Sequence, residues 1–198
     1  MIDKYGTGQD PYCYPGTTTL CNLLDIRDDE LLAEAERDLS RLAASKLTFE
    51  LPPYDLNYLC RLHRCLFQDI YSWAGELRTL DIAKDSTRFC TVHRLIPEAD
   101  KLFARLRAKD WFEGQSREAL IALSSELYGD LNMVHPFRDG NGRAQRLLFE
   151  HLIINVGYQI DWSPVARDEW IEANIAAVHC DYAGLERIFA RCIGTAIE

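Results

Sequence analysis

The chain has 198 residues, of which 47% are hydrophobic and 27% charged, with a formal net charge of −9; this is the profile of an ordinary globular domain, and it excludes a disordered chain. The acidic balance, with no Lys/Arg-rich block, argues against direct nucleic-acid binding, whose affinity comes mainly from neutralised phosphates. No run is apolar enough for a secretory signal or a bilayer span, and seven irregularly spaced cysteines without a C-x-x-C pair suit a reduced, cytoplasmic setting with no membrane contact.

The pattern is helical from Thr19 to Arg64. In DDELLAEAERDLSRLAASKL the residues Leu31, Leu32, Ala35, Leu39 and Leu42 form an apolar stripe, with Asp28 or Asp29 as the cap. Pro52-Pro53 interrupts it, and the stripe resumes through Leu56, Leu59, Leu62, Leu66 and Ile70. Within this segment Cys60, His63 and Cys65 fall short of a closed metal ligand set, and Cys65 leaves the face that the other two share, so a core role is expected for them.

Leu80–Ala83 and Thr87–Val92 flank the turn-like Lys84-Asp85-Ser86 and predict a small β-hairpin. After Pro97, EADKLFARLRAKDWF reads as helix, and SREALIALSSELYGDLNMV as another, capped by Ser116. A polar loop, HPFRDGNGRAQR, follows. The next helix carries Leu147, Leu148, Phe149, Leu152, Ile153, Ile154 and Val156 almost all round, which predicts central burial, with Gly157 as its stop. Two short helices complete the chain. Without repeats or linkers, the expectation is one all-α domain over 1–198 with a single hairpin.

The polar loop carries the chemistry. Gly140 and Gly142 let backbone N–H groups approach an anion, and the following helix points its positive end at the same place. Arg143 and Arg146 share a face and can fork onto phosphate; an ion pair with Glu150 is the structural alternative for Arg146. Asp139 suits a Mg²⁺ ion bound through one carboxylate and phosphate oxygens, or else an Asp-Gly turn. His135 is placed to act as a general base, with Phe137 as an inward anchor. No P-loop or kinase motif set is present. These residues point to phosphoryl or nucleotidyl transfer.

Over the same stretch the sequence resembles the Fic family, whose motif H-P-F-x-[D/E]-G-N-G-R-x-x-R matches at every specified position. DPYCYPGTTTLCN, DIYSWAGELR and ELYGDLNMV are similar to further family segments, so the resemblance spans essentially the whole chain. It implies a Fic fold and transfer of AMP from ATP to a protein hydroxyl, with release of pyrophosphate. His135 would deprotonate the target and Asp139 would hold Mg²⁺. Gly140, Asn141 and Gly142 would line the anion hole, and Arg143 and Arg146 would take the outer phosphates. The hairpin resembles the flap that docks the target, with Leu80, Asp81, Ile82 and Phe89 as candidates. Tyr158, Trp170 and Asn174 are candidates for the adenine pocket.

The family's inhibitory motif, [S/T]-x-x-x-E-[G/N], is missing: the one Glu followed by Gly or Asn is Glu113, and Lys109 stands four residues before it. The resemblance therefore implies a toxin restrained by a separate small antitoxin, acting on the ATPase subunits of DNA gyrase or topoisomerase IV. The alternatives are a Fic-fold phosphotransferase, transfer of another nucleotide, or a catalytically silent interaction module. The intact Gly-Asn-Gly favours AMP transfer over phosphorylation.

Overall fold

The helix expected to be apolar all round is the axis of the fold. In the computed structural model, which describes residues 10–84 and 87–197, α5 (Asn141–Asn155) buries Leu147, Leu148, Phe149, Leu152 and Ile153. It packs against both α2 (Leu56–Phe67) and α4 (Arg117–Val134). Each large apolar side chain buried this way contributes about 1.5–3 kcal/mol. Around this centre lie α1 (Asp29–Ala44) on α2, α3 (Leu95–Ala108) on α2 and α4, and the pair α6 (Arg167–Ala177) and α7 (Ala183–Cys192) on α4. One contiguous apolar cluster runs through all seven helices, and among the described residues no helix is long and apolar enough to cross a membrane.

The mainly helical fold expected from the sequence is present, with differences that have local causes. Among the described residues, helix begins at Asp29 and not at Thr19. The preceding residues form a bridge between Cys13 and Leu20, and Asp28 caps α1 by accepting from the Leu31 N–H at 2.9 Å. The stripe predicted on α1 holds only in part: Leu32 is buried and Leu39 packs against the core, but Leu31 and Leu42 are each 52% exposed, and Glu36 and Ser40 are buried instead. Polar residues are tolerated inside because an arginine of the motif loop faces them, as described below.

Helix α3 starts at Leu95, two residues before Pro97, because proline is accepted in a first turn where its missing N–H costs nothing. It stops at Ala108 rather than including Trp111 and Phe112, since Asp110, Trp111 and Phe112 take φ of 49°, 48° and 68° in a left-handed turn. The hairpin is shorter than predicted: β1 (Ala83–Lys84) pairs antiparallel with β2 (Thr87–Arg88), and Val92 already opens a 3₁₀ turn. A second antiparallel pair, β3 (Tyr158–Ile160) with β4 (Ile193–Ala196), was not anticipated. It follows Gly157, whose φ of 86° ends the α5 segment.

Candidate active site

Four parts of the chain surround a cavity of about 440 Å³: the hairpin, the end of α4, the motif loop with the start of α5, and one face of α6. Its size suits a small-molecule site. His135, Asp139, Gly140, Asn141, Gly142, Arg143 and Arg146 all line it, so the sequence-predicted loop residues converge on one space.

His135 ends α4 in the left-handed region, at φ 47° and ψ 63°. Its Nδ1 lies 3.1 Å from the Asn132 carbonyl oxygen. A carbonyl only accepts, so Nδ1 carries the proton and Nε2 is the bare, basic nitrogen. The ring stacks on Phe89, with centroids 3.9 Å apart. Burial depresses its pKa to about 3, which keeps the imidazole neutral and Nε2 unprotonated at neutral pH.

The loop that follows is closed by a reciprocal clamp. The Phe137 N–H donates to Asn141 Oδ1 and Asn141 Nδ2 donates to the Phe137 carbonyl, both at 2.8 Å. The Asn141 amide thus builds the loop instead of reaching into the cavity. Gly140 has φ 75°, and a Cβ there would lie 2.5 Å from the Phe67 ring; no other residue fits. A Cβ on Gly142 would meet only Arg146, at 3.6 Å, so that position is open on the cavity side.

His63 lies beneath this loop, fully buried and stacked on Phe137 at 3.9 Å. Its Nδ1 accepts from the Gly75 N–H, which leaves Nε2 to donate to the Asp139 carbonyl, each at 2.9 Å. Burial lowers its pKa to about 4. The sequence suggests a core role for it but does not reveal that it supports the loop. Nothing in the local pattern of α2 signals a contact 76 residues away.

Asp139 Oδ1 accepts from the Gly140 N–H at 2.5 Å, as an Asp-Gly turn would, and stands 3.9 Å from Arg143. Among the described residues no three acidic, histidine or cysteine side chains cluster to hold a metal alone. A single cavity-lining carboxylate fits Mg²⁺, which keeps waters and takes phosphate oxygens for its other positions.

The two motif arginines differ. Arg143 is paired with Glu36 of α1, donates to Ser40 Oγ at 3.2 Å, and lies over the Phe67 ring at 4.6 Å. Burial lowers its pKa to about 10, so it remains charged. Tyr71 also donates to the Glu36 carboxylate. Arg146 lies over Trp170, 5.6 Å from the ring centroid, while Glu150 accepts from Trp162 at 2.9 Å instead of pairing with Arg146. Arg138, the variable residue of the motif, binds Asp10 with its Nε at 2.8 Å.

Across the cavity, α6 presents Arg167, Trp170, Ile171, Asn174 and Ile175, with Val178 just past its end. Trp170 and Asn174 therefore reach the site. Tyr158 is paired in β3 and does not line it. Arg167 was missed: it is the first residue of a helix whose facing direction the sequence alone does not fix. On the hairpin side, Lys84, Thr87 and Phe89 contribute. Ile82 and Phe89 are buried and pack with Leu80 as the hairpin's own small core. Asp81 accepts from the Val92 N–H at 2.8 Å and so closes its base.

Residues 53–153 match the family model described as Fic/DOC family. The chain is 38% identical over 200 residues to the Salmonella typhimurium protein named "Probable protein adenylyltransferase Fic", covering 100% of this chain and 99% of that one. It is 33% identical to the protein adenylyltransferase VbhT of Bartonella schoenbuchensis, covering 89% of this chain and 37% of that longer protein. Among solved structures, the BepC effector of Bartonella tribocorum with bound AMPPNP superposes with a TM-score of 0.87 at 26% identity, covering 94% of this chain and 97% of that one. The N-terminal Fic domain of a Bartonella quintana effector with bound ADP gives a TM-score of 0.87 at 29% identity, over 94% of this chain and 95% of that one.

Proposed function

The chain belongs to the Fic/DOC family, and from that premise we propose that it is a nucleotidyltransferase that moves AMP from ATP to a hydroxyl side chain of a target protein. The observation that carries the reading is the meeting of two features in one cavity: the bare Nε2 of His135, and the N-terminal end of α5 with Arg146 beside it.

The backbone N–H groups of Asn141 and Gly142, at the positive end of α5, hold the polyphosphate, beside Gly140, whose own N–H turns to Asp139. Arg146 takes charge at its outer end, and Arg143 faces it from the pair with Glu36. The target hydroxyl oxygen attacks the α-phosphorus while His135 Nε2 takes its proton. An O–P bond to the target forms, the bond between the α-phosphorus and the bridging oxygen breaks, and pyrophosphate leaves with that electron pair. Asp139 would hold Mg²⁺, which supplies charge neutralisation at the phosphates. The slot formed by Trp170, Ile171, Ile175 and Val178 receives the base, with Asn174 at its wall. The backbone edge of the β1–β2 hairpin pairs with an extended target segment.

The chain acts as one domain over 1–198, in the cytoplasm. Without its own inhibitory glutamate motif, it is restrained by a separate antitoxin whose helix brings a glutamate to Arg146. The ATPase subunits of DNA gyrase or topoisomerase IV are the leading target, on the strength of the family resemblance. The test incubates the purified protein with bacterial lysate and Mg²⁺, using ATP labelled at either the α- or the γ-phosphate, beside a His135→Ala control. Label from the α-position alone, lost in the control, supports AMP transfer and marks the target band. Label from the γ-position makes the protein a kinase, and no label removes the enzymatic reading for ATP.

A further inference from the structure

Arg78 is 2% exposed, and its nearest carboxylate, Asp81, is 4.0 Å away. A guanidinium is costly to bury without a close counter-ion, and this one is compensated almost wholly by backbone oxygens. Its Nε donates to the carbonyl of His135 at 2.8 Å and Nη1 to that of Leu80 at 2.7 Å. Nη2 donates to Cys90 and, at 3.4 Å, to Val134. The Arg78 main-chain N–H donates to the Pro136 carbonyl at 2.9 Å.

These acceptors fall into two groups. Leu80 and Cys90 are the two roots of the hairpin; Val134, His135 and Pro136 are the joint between α4 and the motif loop. One rigid, planar guanidinium therefore ties the hairpin to the peptide that carries the base. Two further contacts repeat the link: the Cys90 N–H donates to the Met133 carbonyl at 3.0 Å, and Phe89 lies on the His135 ring. His135 is also held in a conformation that costs a non-glycine residue about 1–3 kcal/mol and persists only where its surroundings impose it.

We propose that Arg78 is the positioning residue through which the hairpin sets the orientation of His135, so that a target docked on the hairpin and the base that deprotonates it share one frame. The proposal rests on the reading of His135 as the base. The guanidinium plane fixes the angle between the hairpin roots and the His135 carbonyl. A lysine, with a point charge and no fork, keeps the charge but loses that angle. Without the fork, His135 relaxes toward the extended region favoured before a proline, and Nε2 leaves the line of the target hydroxyl. The cavity walls on α5 and α6 do not touch Arg78 through any of these bonds, so nucleotide binding stays.

The test uses the full chain with Arg78→Lys and Arg78→Ala, and three readouts. Imidazole ¹⁵N spectra of His135, recorded without nucleotide or target, are expected to show one tautomer with Nδ1 protonated in the parent and averaging between tautomers in the variants. The Kd for Mg²⁺-ATP is expected to stay within about threefold, while kcat for transfer falls on the order of 30–100-fold with the target KM little changed. An unchanged His135 spectrum in a folded variant overturns the proposal, as does a loss of nucleotide affinity that matches the loss of rate. If Arg78→Ala does not fold, Arg78→Lys carries the test; if neither folds, Arg78 belongs to the fold alone and the proposal falls. Absence of α-label transfer by the parent sinks the enzymatic reading and leaves the spectral result to judge the coupling by itself.

Discussion

Glu36 and Arg143, 107 residues apart in sequence, form an ion pair inside the protein, with side chains 11% and 27% exposed. The pair makes the buried side of α1 polar and fastens that helix to the motif. Glu36→Gln leaves the guanidinium with Asp139, at 3.9 Å, as its remaining countercharge. A loss of about 2–3 kcal/mol is expected, below the 3–5 kcal/mol of a fully buried pair because Arg143 is partly hydrated. Thermal melts should show Tm falling by roughly 5–10 °C. In a double-mutant cycle with Arg143→Ala, the two losses should fail to add by about 1 kcal/mol or more; strict additivity would mean that the pair contributes nothing.

The depressed pKa of His135 makes a prediction about rate. Because the ring of the free protein titrates near 3, its base form is complete across pH 5–8, and kcat/KM should show no histidine limb there. A drop of half near pH 6.5 would indicate an imidazole that water reaches freely.

The same shift, with that of His63 to about 4, bears on stability. Both rings bind a proton more weakly folded than unfolded, where a histidine titrates near ~6.5. Between those values the unfolded chain takes up more protons, so stability is full above about pH 6.5 and is lost as pH falls toward 3–4. Urea unfolding from pH 7 to pH 4 should show this decline, and His63→Gln should flatten it.

Gly140 and Gly142 separate fold from function. Gly140→Ala places a methyl group against Phe67 at a positive φ and should cost upwards of about 2 kcal/mol, seen as a lowered Tm. Gly142→Ala meets nothing nearer than 3.6 Å and should leave Tm within about 2 °C while weakening Mg²⁺-ATP by roughly tenfold or more in calorimetry. Equal effects of the two changes would refute the assignment of Gly142 to the ligand side.

Arg146→Ala should weaken Mg²⁺-ATP binding by roughly 10- to 100-fold, the range for a lost hydrogen bond to a charged group. Asp139→Asn should abolish the Mg²⁺ dependence of that binding, so that adding EDTA changes the variant far less than the parent. Retained Mg²⁺ dependence would place the ion elsewhere.

Much of the site was legible because it is contiguous: His135 through Arg146 is one uninterrupted stretch whose residue types state their chemistry. The central burial of α5 could be read from apolar residues on every side. Local patterns could not show what lies across the fold. Glu36 interrupts an apolar stripe and reads as a solvent residue, yet it meets Arg143. Arg78 and His63 hold the motif backbone from separate segments. The burial of Ile82 and Phe89 follows from their packing with Leu80 and from the stacking of Phe89 on His135, which alternation over two-residue strands cannot specify.

The α6 wall offers a handle for chemical genetics. Ile175 lines the cavity yet is 53% exposed, so trimming it to alanine or glycine removes little from the core while enlarging the slot. An enzyme carved there should accept an ATP analogue bearing a bulky substituent on its base, one that the parent and other nucleotide-dependent enzymes of the host turn away. Proteins tagged with that substituent in living cells would then be the substrates of this chain.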